Sequence, residues 1–170
     1  MDLGCGKGQV LLVASRFAFK RVVGVEFTRE LCSIATANVQ AYRKRHRDAV
    51  PIDVIEADAA EYEVKPDENV FYMYHPFGPA VVRRVVINIL SSVARYSRPV
   101  WIVYCHPMYG GVIESCADKT GSSRTFVRVR TFTYALKEFA VYTSRHVQGG
   151  QGQAAIKPPA GVSAGLRSEG

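Results

Sequence analysis

Cysteine is sparse and scattered in this 170-residue sequence: the four thiols, Cys5, Cys32, Cys105 and Cys116, form no Cys-x-x-Cys pair. Neither a disulfide framework nor a zinc-ribbon spacing is therefore suggested, and reduced thiols are expected. Long apolar runs are missing too, and the N-terminus has no charged region leading into an apolar segment, so neither a bilayer span nor a secretory signal is expected. The resulting expectation is a cytoplasmic protein with no membrane contact. Acidic residues are in deficit, 15 Asp and Glu against 22 Lys and Arg, a formal net charge of +7. The excess gathers at Arg43, Lys44, Arg45, His46 and Arg47, at Arg83 and Arg84, and at Arg124, Arg128 and Arg130. Cations at a helix C-terminus complement the macrodipole and keep a face solvated. The same clusters also suit an acidic or nucleic-acid partner, and both readings stay open here.

The apolar content is ordinary, 48%, and the length suits one domain with a substantial core. Strand-like runs alternate with helical patterns, the mark of a parallel sheet covered by helices on both faces. Helices are expected over 7–19, from an N-cap at Thr28 up to the basic cluster, and over 79–95, where Val82, Val85, Val86, Ile89 and Val93 share a face. Strands are expected over 21–26, 52–56, 69–74 and 100–104, with the last residues of a further one at positions 1–3. Segments 125–134 and 138–144 lie too close for a crossover helix and suit an antiparallel hairpin at a sheet edge. The expected fold class is α/β, a doubly wound and mostly parallel sheet with that hairpin at one edge, as a single domain over 1–147. Segment 148–170, rich in Gly, Gln, Ala, Pro and Ser, reads as a disordered tail. No internal repeat is visible.

The most specific local feature is Asp2-Leu3-Gly4-Cys5-Gly6-Lys7-Gly8, an acidic residue followed by three alternating glycines. A strand ending in such a run turns tightly into a helix and lets backbone approach a ligand closely. The loop by itself could serve a dinucleotide, a phosphate or a nucleoside. Its spacing departs from the G-x-G-x-x-G of dehydrogenases, and Lys7 lacks the following Ser or Thr of a P-loop. Three further elements stand at later strand ends. Glu26, after Val-Gly-Val, is placed to accept from both hydroxyls of a ribose; Asp58, in Glu-Ala-Asp-Ala-Ala, is placed to accept from an exocyclic amine of adenine; and Tyr74-His75-Pro76-Phe77-Gly78 would line the far side of the same crevice.

This ordered set resembles the class I, Rossmann-like S-adenosylmethionine-dependent methyltransferases over residues 1–144, with the family's first strand incomplete. The resemblance implies S-adenosylmethionine as cofactor and a site assembled from these motifs. Gly4 and Gly6 would pass the cofactor's amino-acid moiety, while Asp2 and Lys7 shape the loop and Cys5 fills it. Glu26 would bind the ribose, Phe27 would pack on the adenine, and Asp58 with Ala59 would read its edge. His75 and Pro76 would also contact the cofactor, with His75 a candidate catalytic residue, and Phe77 and Tyr104 would face the substrate. The departure is His75 itself, because amine-directed relatives often carry Asn or Asp before this proline. A neutral imidazole can accept a hydrogen bond or a proton, so both N- and O-methylation fit. A weaker, more particular resemblance is to the Rossmann-type histone-lysine methyltransferases, through Gly8-Gln9-Val10-Leu11-Leu12.

Each residue also has a structural reading. Glu26 could be a surface charge, Asp58 a turn cap, Phe27 a core aromatic, and His75 a ring bonded to a backbone carbonyl. Cys5, His75, Cys105 and His106 could converge at strand ends, but no metal site is expected there. The functional expectation is methyl transfer to an acceptor drawn from protein lysine, small molecules or nucleic acid. The alternatives are cofactor binding without catalysis and, less favoured by the glycine spacing, a nucleotide-dependent oxidoreductase.

Overall fold

A computed structural model describes residues 1–116 and 124–146; the tail expected over 148–170 lies outside them. The strands are β1 (Asp2–Leu3), β2 (Val22–Glu26), β3 (Ile52–Glu56), β4 (Val70–Tyr74), β5 (Trp101–Cys105), β6 (Arg124–Tyr134) and β7 (Lys137–His146). The helices are α1 (Gln9–Ala14), α2 (Arg29–Arg45), α3 (Pro79–Arg95) and α4 (Gly110–Ser115). They form one seven-stranded sheet in the order β3-β2-β1-β4-β5-β7-β6. All neighbours from β3 to β5 pair in parallel, while β7 runs antiparallel to both β5 and β6. The expected sheet and edge hairpin are both present.

The order reverses at β1, whose Asp2 stands opposite Gly24 of β2 on one side and Tyr72 of β4 on the other. A ligand crevice in an open α/β sheet opens at such a switch point, beyond the carboxyl ends of the strands. The glycine run begins there. Central strands covered on both faces must be apolar throughout, and Val22-Val23-Gly24-Val25-Glu26 is buried at all five positions. Gly24 is required by packing, since a Cβ there would lie 2.6 Å from Leu11 Cδ1 and 2.7 Å from Cys5 Sγ. Alternation along the strands divides the interior. Val22, Ile52, Cys5, Leu11 and Val39 pack beneath α1 and α2, while Leu3, Val25, Phe71 and Ile102 join α3, Ile113 of α4 and Tyr142 of the hairpin.

Helix α3 begins and ends as expected, with Pro79 in its first turn and Val82, Val85, Val86, Ile89, Leu90 and Val93 buried. Helix α1 is shorter than the 7–19 expectation. Gly8 has φ 79°, which delays the helical turn, and Ser15 ends it by donating its hydroxyl to the Leu12 carbonyl at 2.8 Å. Phe17, expected on the inner stripe, is therefore exposed. Helix α4 lies outside the expected elements, because Gly110-Gly111 leaves its six residues with low helix propensity. Gly110 is there for space: a Cβ would lie 2.5 Å from the Tyr142 hydroxyl.

Candidate active site

The chain leaves β1 through three residues in left-handed backbone, Gly4 (φ 77°), Gly6 (φ 53°) and Gly8 (φ 79°), a region L side chains rarely occupy. Gly4 and Cys5 both donate their amides to the Val25 carbonyl, at 2.8 and 3.1 Å, which folds the loop back over the end of β2. A Cβ on Gly4 would stand 2.6 Å from Pro76 Cβ, whereas one on Gly6 would meet nothing within 4 Å. The loop is thus tight against the end of β4 and open above Gly6. Cys5 is buried, and desolvation pushes its thiol up to about 12, so it packs as a neutral filler. Lys7 is exposed, and its carbonyl accepts from the Asn38 amide at 2.9 Å, joining the loop to α2.

Glu26 ends β2 and is only 9% exposed. Its Oε2 accepts the Gly6 N–H and its Oε1 the Thr28 N–H, each at 2.9 Å. The carboxylate therefore clamps the glycine loop to the start of α2, and its orientation is set before any ligand arrives. Thr28, expected to cap α2 through its side chain, makes no such bond and instead supplies its amide to Glu26. Each carboxylate oxygen keeps a further lone pair for a ligand hydroxyl.

Asp2 lies behind this loop at 4% exposure. Among the described residues nothing hydrogen-bonds its carboxylate. Burial, with Glu26 adding a like charge and the Met1 amino group opposing, raises its pKa from 3.8 to about 7.

Phe27 follows Glu26 and is 75% exposed, so an aromatic ring stands in solvent next to that carboxylate rather than in the core. Asp58 follows β3 and is exposed. Its Oδ1 accepts the Ala60 amide at 2.8 Å, the turn-capping role its residue type also suggested, and Oδ2 is left over. Ala59 beside it is buried.

Across the crevice, β4 delivers His75, Pro76 and Phe77. Pro76 and Phe77 pack on Gly4, the Phe77 ring 3.6 Å from where its Cβ would stand. His75 is half-buried and sits at φ 41°, rare for a residue with a side chain and stranger before proline. Its Nδ1 lies 3.1 Å from the Tyr104 hydroxyl. Tyr104, expected to face substrate, is fully buried and reaches the site through His75; burial keeps its phenol protonated by raising its pKa. Next to His75, at the end of β5, stands His106 with φ 52°. A cleft of about 460 Å³ opens here, lined by Tyr74, His75, His106, Pro107, Met108 and Glu138. The last comes from β7 in the hairpin and is invisible to a reading of strand ends. His106, expected at a strand end near His75, is brought beside it, and His-Pro recurs at 75–76 and 106–107, directly after β4 and β5. Among the described residues no cluster of His, Cys, Asp and Glu could hold a metal ion, and no helix is long and apolar enough to cross a membrane.

The fold and crevice define an open α/β protein with a ligand crevice at the switch point of its sheet. The family model described as a methyltransferase domain matches residues 1–71, the stretch holding the glycine loop, Glu26 and Asp58. Among curated proteins the chain is similar to "Histone-lysine N-methyltransferase, H3 lysine-79 specific" of Dictyostelium discoideum, 31% identical over 108 residues. That match takes in 58% of this chain and only 6% of the relative's length. Among solved structures it is similar to a phosphoethanolamine N-methyltransferase of Haemonchus contortus in complex with phosphoethanolamine and S-adenosylhomocysteine. The TM-score is 0.63 at 12% identity, over 90% of this chain and 40% of that one. An RNA methyltransferase of Salinibacter ruber, in complex with S-adenosylhomocysteine, gives 0.56 at 19% identity over 84% and 77%. These structural likenesses show a shared fold. Together the comparisons support the class I S-adenosylmethionine-dependent methyltransferase family.

The residues present fit that family's cofactor. The space over Gly6 would take its amino-acid part, the pre-oriented Glu26 carboxylate its ribose, and the exposed Phe27 ring with the unused Asp58 oxygen its adenine, while the Asp2 carboxyl behind the loop would face its positive charge.

Proposed function

We propose that this chain transfers the methyl group of S-adenosylmethionine to the side-chain amine of a protein lysine. The observation that carries the cofactor half is the Glu26 carboxylate, held between the Gly6 and Thr28 amides with Phe27 exposed beside it. The acceptor half rests on the similarity to the Dictyostelium histone-lysine enzyme and on a cleft of aromatic and imidazole rings at the ends of β4 and β5.

When bound, the cofactor supplies a methyl group already activated on sulfur. The chain's own task is then to hold the amine in line and exclude water, so orientation outweighs acid-base work. A lysine arrives as an ammonium and must lose a proton before it can act as nucleophile. His75 is the group nearest that task. In the tautomer that donates Nδ1–H to the Tyr104 oxygen, Nε2 accepts the proton. The buried Tyr104 fixes the ring and is a positioning residue. Basic residues at the end of α2 and the exposed Arg128 and Arg130 of β6 favour an acceptor with an acidic or nucleic-acid-bearing surface.

The test offers core histones, free and DNA-bound, with methyl-labelled cofactor, beside calorimetric titration of S-adenosylhomocysteine. The expected result is labelling of lysine by the wild type and none by Glu26→Ala, which also loses the cofactor product. Tight product binding with no labelling of any protein would overturn the lysine assignment, and absence of product binding would overturn the whole reading.

A further inference from the structure

The cleft between β4 and β5 already has a cation at its rim. Lys137, the first residue of β7, places its Nζ 4.6 Å from the centroid of the Tyr74 ring. Tyr74 lines the cleft, is 45% exposed and stacks on His106 with centroids 5.4 Å apart. An ammonium near an aromatic face is attracted by the ring quadrupole. The hairpin is tied to the same place by backbone, since the His106 amide donates to the Glu138 carbonyl at 2.9 Å. Lys137 is therefore delivered to the cleft by a fixed anchor, one residue away from it.

The turn that carries Lys137 there is strained. Tyr134 pairs with Lys137 across a two-residue loop of Ala135 (φ 47°) and Leu136 (φ 63°). Two-residue hairpins need both central residues at positive φ, which Asn-Gly or Gly-Gly supply without cost and Ala-Leu does not. Leu136 is also 98% exposed, so no burial offsets the strain. A strained tip with nothing packed on it is an element that can move while its base stays anchored.

We propose that the cleft of Tyr74, His75, His106 and Glu138 is an alkylammonium seat, and that Lys137 holds it as an internal stand-in until the acceptor's ammonium displaces it. The inference rests on the amine-transfer reading above and adds which face receives the amine and what competes for it. Lys137 then acts as a built-in competitor that raises the apparent dissociation constant of every cationic acceptor by the same factor. At an exposed site that factor is about two- to five-fold, the worth of one solvated cation–π contact.

The test titrates n-butylammonium chloride into the full chain and follows the Tyr74 and His106 ring resonances by NMR. Lys137→Ala should bind it about two- to five-fold more tightly than the wild type, Lys137→Arg should match the wild type, and Tyr74→Leu should remove the gain when combined with Lys137→Ala. Thermal melts identify any variant that fails to fold. Equal affinity in wild type and Lys137→Ala, no saturable shift in either, or binding that ignores Tyr74 each overturns the proposal. Calorimetry with S-adenosylhomocysteine on the same samples separates the two readings. Its failure to bind the wild type would sink the methyltransferase assignment while the butylammonium result stood on its own.

Discussion

Replacing Asp2 by Asn tests the electrostatics of the glycine loop most directly. The Asp2 carboxyl titrates near 7 in the folded chain against 3.8 as a free side chain, chiefly because burial disfavours its charge. A shift of about three units is worth about 4 kcal/mol at 1.36 kcal/mol per unit, an order-of-magnitude figure. The folded state holds the proton more tightly than the unfolded state, so stability is greatest below pH 3.8 as far as this group is concerned. It is lost progressively as pH rises to 7, and the loss is complete above that. Asp2→Asn keeps the shape and has no charge to desolvate. The wild type should therefore fall behind the variant as pH rises from 4 to 8, by about 10 °C in Tm if 1 kcal/mol moves a chain of this size by about 2–4 °C. Melts of both proteins at half-unit pH steps give the difference curve, from which effects common to both cancel. Cofactor binding should move the other way, because only ionised Asp2 attracts a cation: affinity for S-adenosylmethionine should rise about ten-fold from pH 5 to 8 in the wild type and stay flat in Asp2→Asn. Parallel melting curves, or equal pH dependence of affinity, would refute the reasoning that Asp2 is a buried carboxyl whose charge serves a ligand.

Glu26→Gln retains the shape but turns one acceptor oxygen into a donor facing the Gly6 or Thr28 amide. A charge-assisted bond is worth about 1.5–3 kcal/mol, so product affinity measured by calorimetry should fall about 10- to 100-fold. Gly4→Ala forces a side chain into φ 77° with a Cβ 2.6 Å from Pro76. It should lower stability in urea by about 1–3 kcal/mol and weaken cofactor binding with it. Changing Ala135-Leu136 to Asn-Gly relieves the hairpin turn and should raise stability by about 1 kcal/mol, seen as a higher Tm with an unchanged m-value. Tyr104→Phe removes the hydroxyl beside His75 Nδ1 without touching the cofactor crevice. It should lower kcat and shift the pH profile of turnover while product affinity stays as in the wild type, a split that a merely packing role would not produce.

What the sequence shows of this site follows from how local each signal is. Glu26, Asp58 and His75 each stand one step past a strand, so periodicity plus strand ends locate them, and parallel pairing then brings those ends to one side of the sheet. Their bonding is less legible. That Glu26 is clamped by the amides of Gly6 and Thr28 depends on the loop folding back over Val25, which no spacing states. Helix α1 was overextended because Phe17 and Ala18 continue a helical period that the Ser15 hydroxyl bond ends. Helix α4 is illegible in the sequence because Gly110 answers to the Tyr142 hydroxyl, a contact from another strand. The second histidine is intermediate: its place at the end of β5 is legible, while its share in the acceptor cleft depends on the Tyr74 stack and the Glu138 carbonyl. Lys137 and Glu138 were out of reach entirely. They come to β4 and β5 through the antiparallel register that sets Cys105 opposite Phe139, and a hairpin read as an edge covering carries no hint that its turn overhangs a cleft.

The backbone strain points the same way as the side chains. Outside the hairpin turn, the only non-glycine residues at positive φ among those described are His75 and His106. Each such residue costs about 1–3 kcal/mol and persists where its surroundings over-determine it. Here the surroundings do so: Tyr104 bonds one imidazole, Tyr74 stacks on the other, and the Glu138 carbonyl takes the His106 amide. A glycine at either position would relieve the backbone and lose only the ring. The fold thus retains a costly conformation at two adjacent strand ends for the sake of two imidazoles facing one cleft, while on the cofactor side every left-handed position is glycine. Strain is avoided where backbone must approach a ligand and accepted where side chains must meet one, which assigns the two halves of the crevice their separate tasks.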